Sequence, residues 1–139
     1  MVKVDIQQED FEVGQEVGGG AVTNFIGIVR GDDGVKALTL EHYPAMTQRS
    51  LEDLAQEALT RWSLFGVRVI HRVGRLPLGD QIVFVGTASA HRHASLEACA
   101  YIMDRLKTDA PFWKKESRAD GTENWVEERQ SDQQAVRKW

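Results

Sequence analysis

The sequence predicts an α+β domain, a mostly antiparallel sheet with helices packed against it. Three observations carry that expectation. Several segments alternate β-branched or apolar residues with polar ones at a period of two, as half-buried strands do. Two longer segments repeat apolar residues at helical spacing. The order of these segments is strand, hairpin, helix, strand pair, helix, short strands, without the regular alternation of a doubly wound fold.

Val2, Val4 and Ile6 alternate with polar residues, so residues 2 to 7 form a strand. Gln8 to Gly20 is polar and ends in three glycines. No Gly-Lys-Ser/Thr follows them, so this is a flexible approach and not a phosphate loop. Residues 21 to 30 (AVTNFIGIVR) are β-branched and apolar, a good central strand. Gly31-Asp32-Asp33-Gly34 is a turn, and residues 35 to 43 (VKALTLEHY) resume the strand pattern, so the two are expected to form a hairpin. Pro44 suits a first helical turn. Met46, Leu51, Leu54, Ala55, Ala58, Leu59 and Trp62 then recur at helical spacing, giving a helix over 45 to 63, with Gly66 closing that element. Residues 67 to 73 (VRVIHRV) alternate strictly. Pro77 and Gly79-Asp80 turn the chain into residues 81 to 90 (QIVFVGTASA), the most apolar strand. A second helix covers 94 to 108. After Pro111 the pattern is irregular, with a short strand expected at 125 to 128, and a polar tail runs from about 129 to 139.

At 139 residues with 42% hydrophobic content the chain makes one domain, 1–139, with a real core. A formal net charge of -4 argues against a general nucleic-acid or membrane-surface binder. No apolar run reaches the roughly 18 to 20 residues of a membrane span, and the N-terminus lacks an apolar signal region. The single cysteine, Cys99, excludes an internal disulfide framework and a multi-thiolate zinc cluster. A reducing, cytoplasmic setting is the simple expectation.

Against that acidic background, Arg105 to Arg118 (RLKTDAPFWKKESR) carries five cations and two acids, with Phe112-Trp113 in its midst. Cations beside rigid apolar surface suit an anionic small molecule. On an ideal helical wheel counted from Leu96, Met103 falls near ~340° and Lys107 near ~20°. Lys107 is thus expected along the apolar stripe, either as a snorkelling C-terminal lysine or as a partly desolvated acid/base or anion-stabilising amine. Lys114 follows Phe112-Trp113 and is either a surface lysine or a second functional cation. Lys115 and Arg118 are expected to be more solvated. His91-Arg92 lies between a buried strand and a helix N-terminus, where unpaired N–H groups favour anions; an ordinary charged turn is the alternative. Arg30 ends an apolar strand, and Phe25 is by default a core side chain. His42 and His71 lie within strands as structural residues. Cys99 is expected to be inert, since a reactive thiolate needs an electropositive, exposed setting. The four histidines do not make the usual helical metal spacing. No nucleophile elbow or dinucleotide fingerprint is present.

The runs FIGIVRG (25 to 31), ALTLEHYPAM (37 to 46), VIHRVGRLPLGD (69 to 80), VFVGTASAHR (83 to 92) and LKTDAPFWKKE (106 to 116) resemble the large, catalytic subunit family of molybdopterin synthase. The closing SDQQAVRKW also fits. The resemblance implies an α/β hammerhead-type fold. It implies an enzyme that converts cyclic pyranopterin monophosphate into molybdopterin, with sulfur brought by the C-terminal thiocarboxylate of a small ubiquitin-like subunit. No cofactor or metal is implied. The implied assembly is a heterotetramer built on a homodimer of large subunits. By resemblance Lys107 and Lys114 are catalytic. Ile28, Val29, Arg30, His91, Arg92, Lys115 and Glu116 join them in binding the substrate, with Arg30, His91 and Arg92 expected to hold its phosphate or pterin across the dimer interface, and Phe25 and Met103 wall the pocket. Some relatives carry lysine where this chain has Ile28, so position 28 would act through backbone or packing. A non-catalytic adaptor for a ubiquitin-like tail and a phosphate-ester enzyme unrelated to sulfur are the alternatives.

Overall fold

The structure, a computed structural model, describes residues 1–11, 20–110, 112–126, 134–137 and 139, with Asp33 described in its backbone alone. The glycine-rich approach over 12 to 19, Pro111 and the tail from 127 to 133 lie outside the described residues.

Among the described residues, eight strands and two long helices follow the order β1 (Val2–Gln7), β2 (Ala21–Ile28), β3 (Val35–His42), α1 (Pro44–Arg61), β4 (Gly66–Arg72), β5 (Gly74–Pro77), β6 (Gln81–Ser89), α2 (Arg92–Asp109), β7 (Phe112–Arg118) and β8 (Glu123–Val126). They form two four-stranded sheets, ordered β1-β4-β6-β2 and β5-β3-β7-β8. Among these pairings β1–β4 is parallel and the others are antiparallel. The mixed α+β class is therefore as expected, with two sheets where one was anticipated.

Both helices pack on the first sheet, and the main core joins Leu51, Leu54 and Ala58 of α1 and Tyr101, Ile102 and Leu106 of α2 to Val67, Val69 and Val85. On the other side of that sheet Phe11 packs on Ile70 and Phe84. Strand β4 is thus covered on both faces, and all seven of its residues are buried despite the polar positions in its alternating pattern. The buried Arg72 is satisfied by Gln8 O, Gln81 O and the Asp80 carboxylate at 3.0 to 3.2 Å. Pro44 opens α1 as expected, but Ser63, in the left-handed region at φ 50, closes it ahead of Gly66, which already belongs to β4.

The expected hairpin of β2 with β3 does not form. Strand β2 pairs along its length with β6, from Ala21↔Ser89 to Ile28↔Gln81. Beyond it Val29 exchanges backbone hydrogen bonds with the 77–80 turn, N–H to Asp80 O at 2.9 Å and Gly79 N–H to Val29 O at 3.0 Å. These bonds hand the chain across to the second sheet, where β3 pairs with β5 and β7. The turn at 31 to 34 becomes a single 3-10 turn within that crossover. A local turn signal says that the chain bends, not which strand it will join. The apolar β6 is the stronger partner for β2.

Candidate functional site

The crossover leaves a cavity of about 950 Å³ where the end of β2, the C-terminal turn of α2 and one face of β7 converge. Its apolar wall includes Phe25, Ile28, Val29, Met103, Leu106 and Phe112. Its charged wall is Arg30, Lys107, Lys114 and Arg118, with Asp32 and Glu116 as the acids. Arg30 lies 3.5 Å from the Asp32 carboxylate and Arg118 3.7 Å from that of Glu116. Four cations against two carboxylates make this a place for an anion with an apolar body. A smaller hollow of about 230 Å³ between the helices carries Asp53, Glu57 and Asp109 against Arg105, a balance that repels anions.

Strand parity sorts the cations of β7. Phe112, Lys114, Glu116 and Arg118 share the face that lines the cavity, as i, i+2 neighbours must. Lys115 lies on the opposite face, 3.4 Å from Glu123 and 5.6 Å from the Trp125 ring centre. It is therefore no part of this cavity, whereas Arg118, expected to be solvated, is.

Lys107 reaches the cavity by a different route from the one expected. The buried residues of α2 are Ser95, Ala98, Cys99, Tyr101, Ile102, Met103 and Leu106. Leu96, the origin of the wheel, is 52% exposed. The buried stripe therefore centres near Ile102, and Lys107 stands beyond its margin, more than about 100° from that centre. Its side chain is exposed and sits on the cavity rim beside Met103 and Leu106.

His91 and Arg92 stand at the other end of α2. His91 is the extended residue that precedes the helix and Arg92 its first residue, and both are exposed. Fifteen residues of helix put Arg92 about 22 Å from Lys107 along the axis, so one chain does not unite them. Ser95 holds the first turn, donating to Arg92 O at 3.0 Å and accepting from Thr23 Oγ1 at 2.9 Å.

Sequence reasoning left out His71, which lines the cavity from β4. Its ring stacks on Phe112 at 3.9 Å and 16°. Burial, foremost, and the Lys114 charge push its pKa down to about 4, against an opposing hydrogen bond to the Arg72 carbonyl. Its position in a strand and beside an arginine looked merely structural; only the convergence of two sheets brings it to Phe112. Cys99 lies away from the cavity lining, and burial pushes its thiol up to about 11, so it is not a ready thiolate. Among the described residues no group of three or more His, Cys, Asp or Glu side chains is placed to hold a metal.

The sequence profile described as MoaE protein matches residues 2–109. This chain belongs to the MoaE family. Its relatives include the molybdopterin synthase catalytic subunit of Pseudomonas aeruginosa, 50% identical over 147 aligned positions that cover 98% of this chain and 97% of that protein. Among solved structures, the molybdopterin biosynthesis MoaE protein from Burkholderia ambifaria superposes with a TM-score of 0.84 at 45% identity, covering 100% of this chain and 98% of that one. Molybdopterin synthase from Staphylococcus aureus superposes with a TM-score of 0.78 at 30% identity over 88% of this chain and 95% of that one. The match to MoaE proteins spans both sheets and both helices, so the crossover that builds the cavity falls within it.

Proposed function

We propose that this MoaE-family chain is the catalytic subunit of a molybdopterin synthase, a cytoplasmic sulfurtransferase that works with a small ubiquitin-like sulfur carrier. The observation that carries the reading is a cavity with an apolar wall and a cationic wall in a chain of net charge -4, in a protein half identical to a catalytic subunit of that name. The cations suit the phosphate of cyclic pyranopterin monophosphate, and the apolar wall suits its ring system. The chain's one cysteine is buried, so sulfur carried by a partner's C-terminal thiocarboxylate fits the site better than sulfur carried on this chain.

In this reading the thiocarboxylate sulfur bonds to a side-chain carbon of the pterin precursor as a C–O bond at that carbon breaks, its oxygen leaving as water or as the opened end of the cyclic phosphate. Water then adds to the partner's carbonyl, the carbonyl–sulfur bond breaks, and a carboxylate leaves while sulfur stays on the pterin. Lys107, on the rim, stabilises the oxyanion that develops at that carbonyl. Lys114, deeper on β7, orients the pterin or assists proton transfer. Arg30 and the backbone of Ile28 and Val29 hold the anionic end, with Glu116 beside them.

His91 and Arg92 join this site from a second copy. Strand β2 is an edge strand that exposes Val22, Phe25 and Ile28. Antiparallel pairing of two β2 edges about a twofold axis sets the Ala21 end of one copy by the Ile28 end of the other. In each copy Ala21 pairs with Ser89, two residues before His91, so the partner's His91 and Arg92 come to the cavity mouth. The assembly is then a homodimer flanked by two small subunits.

The test is to mix the purified chain with a thiocarboxylated ubiquitin-like protein and the cyclic precursor and to measure molybdopterin. Lys107→Ala should lower turnover about 100-fold or more while leaving the complex intact. Inactive Lys107→Ala and Arg92→Ala dimers, exchanged with each other, should regain activity because each mixed dimer holds one whole site. No molybdopterin from the wild type overturns the reading and favours an adaptor, whereas near wild-type turnover by Lys107→Ala overturns the catalytic role of that lysine.

A further inference from the structure

The cavity is built from two sheets that share no backbone pairing at this point. Strand β4 lies inside the first sheet and β7 inside the second. What joins them here is a side-chain contact. His71 on β4 is 3% exposed and stacks on Phe112, the first residue of β7, with ring centres 3.9 Å apart and planes 16° from parallel. Phe112 also packs against both the main core and the core of the second sheet. Its own sheet offers it His42, directly opposite in register, with ring centres 6.1 Å apart.

The His71 ring is fixed as well as stacked. Its Nδ1 lies 2.8 Å from the Arg72 carbonyl oxygen. A carbonyl only accepts, so Nδ1 carries the hydrogen. Arg72 is itself locked by its bonds to Gln8, Gln81 and Asp80. The imidazole plane is therefore set by β4, and that plane sets Phe112. Lys114 follows two residues later on the same face of β7, at the cavity.

We propose that His71 is a positioning residue for Lys114: by clamping Phe112 to β4 it fixes where β7 enters the cavity and hence the depth and direction of the Lys114 ammonium. This rests on the reading above of Lys114 as a working cation. An imidazole suits the role because it combines a flat face for the stack with a donor that stops the ring from turning. It also stays uncharged here, since burial holds its pKa near 4; an imidazolium would repel the ammonium it is meant to place.

Two substitutions divide the functions of the ring. His71→Phe keeps the stack and loses the donor. His71→Asn keeps a donor near the place of Nδ1 and loses the stack. Amine acylation of the folded chain, read by mass spectrometry, reports on Lys114 directly, with the exposed Lys3 and Lys36 as internal standards. The ratio of Lys114 to Lys36 labelling should change about threefold or more in His71→Asn and stay within about twofold of wild type in His71→Phe. In the sulfur-transfer assay His71→Asn should lose about tenfold in kcat, as a displacement well under 1 Å can cost, with KM for the carrier unchanged. Phe112→Leu, which removes the other half of the stack, should shift the same ratio and serves if His71→Asn does not fold. An unchanged Lys114 ratio in both His71→Asn and Phe112→Leu overturns the inference. Near wild-type turnover by Lys114→Ala would instead strike the functional reading and leave the clamp, as seen by labelling, in place.

Discussion

Replacing His71 with Phe should make the fold less sensitive to acid. In the folded chain His71 is buried and titrates near 4, against an ordinary value of 6.5. In the unfolded chain it takes up a proton at the ordinary value. Between those two values the unfolded state binds more protons, so stability rises with pH and is lost as pH falls from 6.5 towards 4. With these two values the loss is about 2 kcal/mol from about pH 7 to about pH 5, and about 3 kcal/mol by about pH 4. The titratable groups that bear on the ring are Lys114 and His42, both of which push in the same direction as burial. Phe has no proton to take up, and its ring can occupy the stack on Phe112. At neutral pH His71→Phe should cost about 1 kcal/mol, because the Arg72 carbonyl loses its side-chain donor. The assay is urea unfolding of both proteins at a series of pH values, read as the difference in unfolding free energy. That difference should close or reverse in favour of the variant as pH falls. A constant difference between about pH 7 and about pH 5 would refute the claim that His71 is held neutral in the folded chain.

Two other substitutions probe the frame around the site. Arg72→Met should destabilise by about 3 kcal/mol, since the buried guanidinium satisfies two carbonyls and a carboxylate that would be left without their donors; a shift below about 1 kcal/mol in urea unfolding would show that water or neighbouring donors replace it. Cys99→Ser should retain sulfur transfer, since the thiol is buried, contacts Val85 O at 3.8 Å and stands apart from the cavity; loss of turnover in folded protein would overturn its inert role.

Both helices, β1 and β3 were legible because each has a wetter and a drier side, which is what periodicity detects. Strands β2 and β6 showed as β-branched, apolar runs and β4 as an alternating one, although all seven of the β4 residues are buried. Strand β7 was not legible. Its cavity face carries Lys114, Glu116 and Arg118, while Trp113 on the other face is exposed and stacks edge-on with Tyr43 at 4.8 Å. A strand that turns three charges inward to a cavity and a tryptophan outward inverts the usual pattern. Strand β5 has four residues, too few for a period to show. The pairing of β2 and β3 was misjudged because a turn is local and a sheet partner is not. Lys107 was picked out for the wrong geometric reason, since the stripe it was placed along counted Leu96, which is exposed, among its apolar residues. Lys114, Arg30 and Phe25 were distinguishable from ordinary residues only through the family runs that contain them, and the structure then brings all three to one cavity.

The position of Lys107 bears on when it can act under the proposed function. An ammonium buried in the core would carry a desolvation penalty of several kcal/mol in the resting chain. On the exposed rim it avoids that penalty, but there water weakens it: a charge about 4 Å away is worth about 1 kcal/mol in bulk water and about 4 kcal/mol at an effective dielectric of about 20. A carrier tail entering the cavity mouth displaces that water and brings its own carbonyl to the lysine at the same moment. The electrostatic help then appears only when there is an oxyanion to receive it. Lys114 and His71 belong to the other half of this arrangement, already ordered within the walls before any tail arrives. The crossover at Val29 is what lets the two halves differ. It opens a seam between two sheets, with one cation on a helix end facing solvent and another on a strand clamped to the neighbouring sheet.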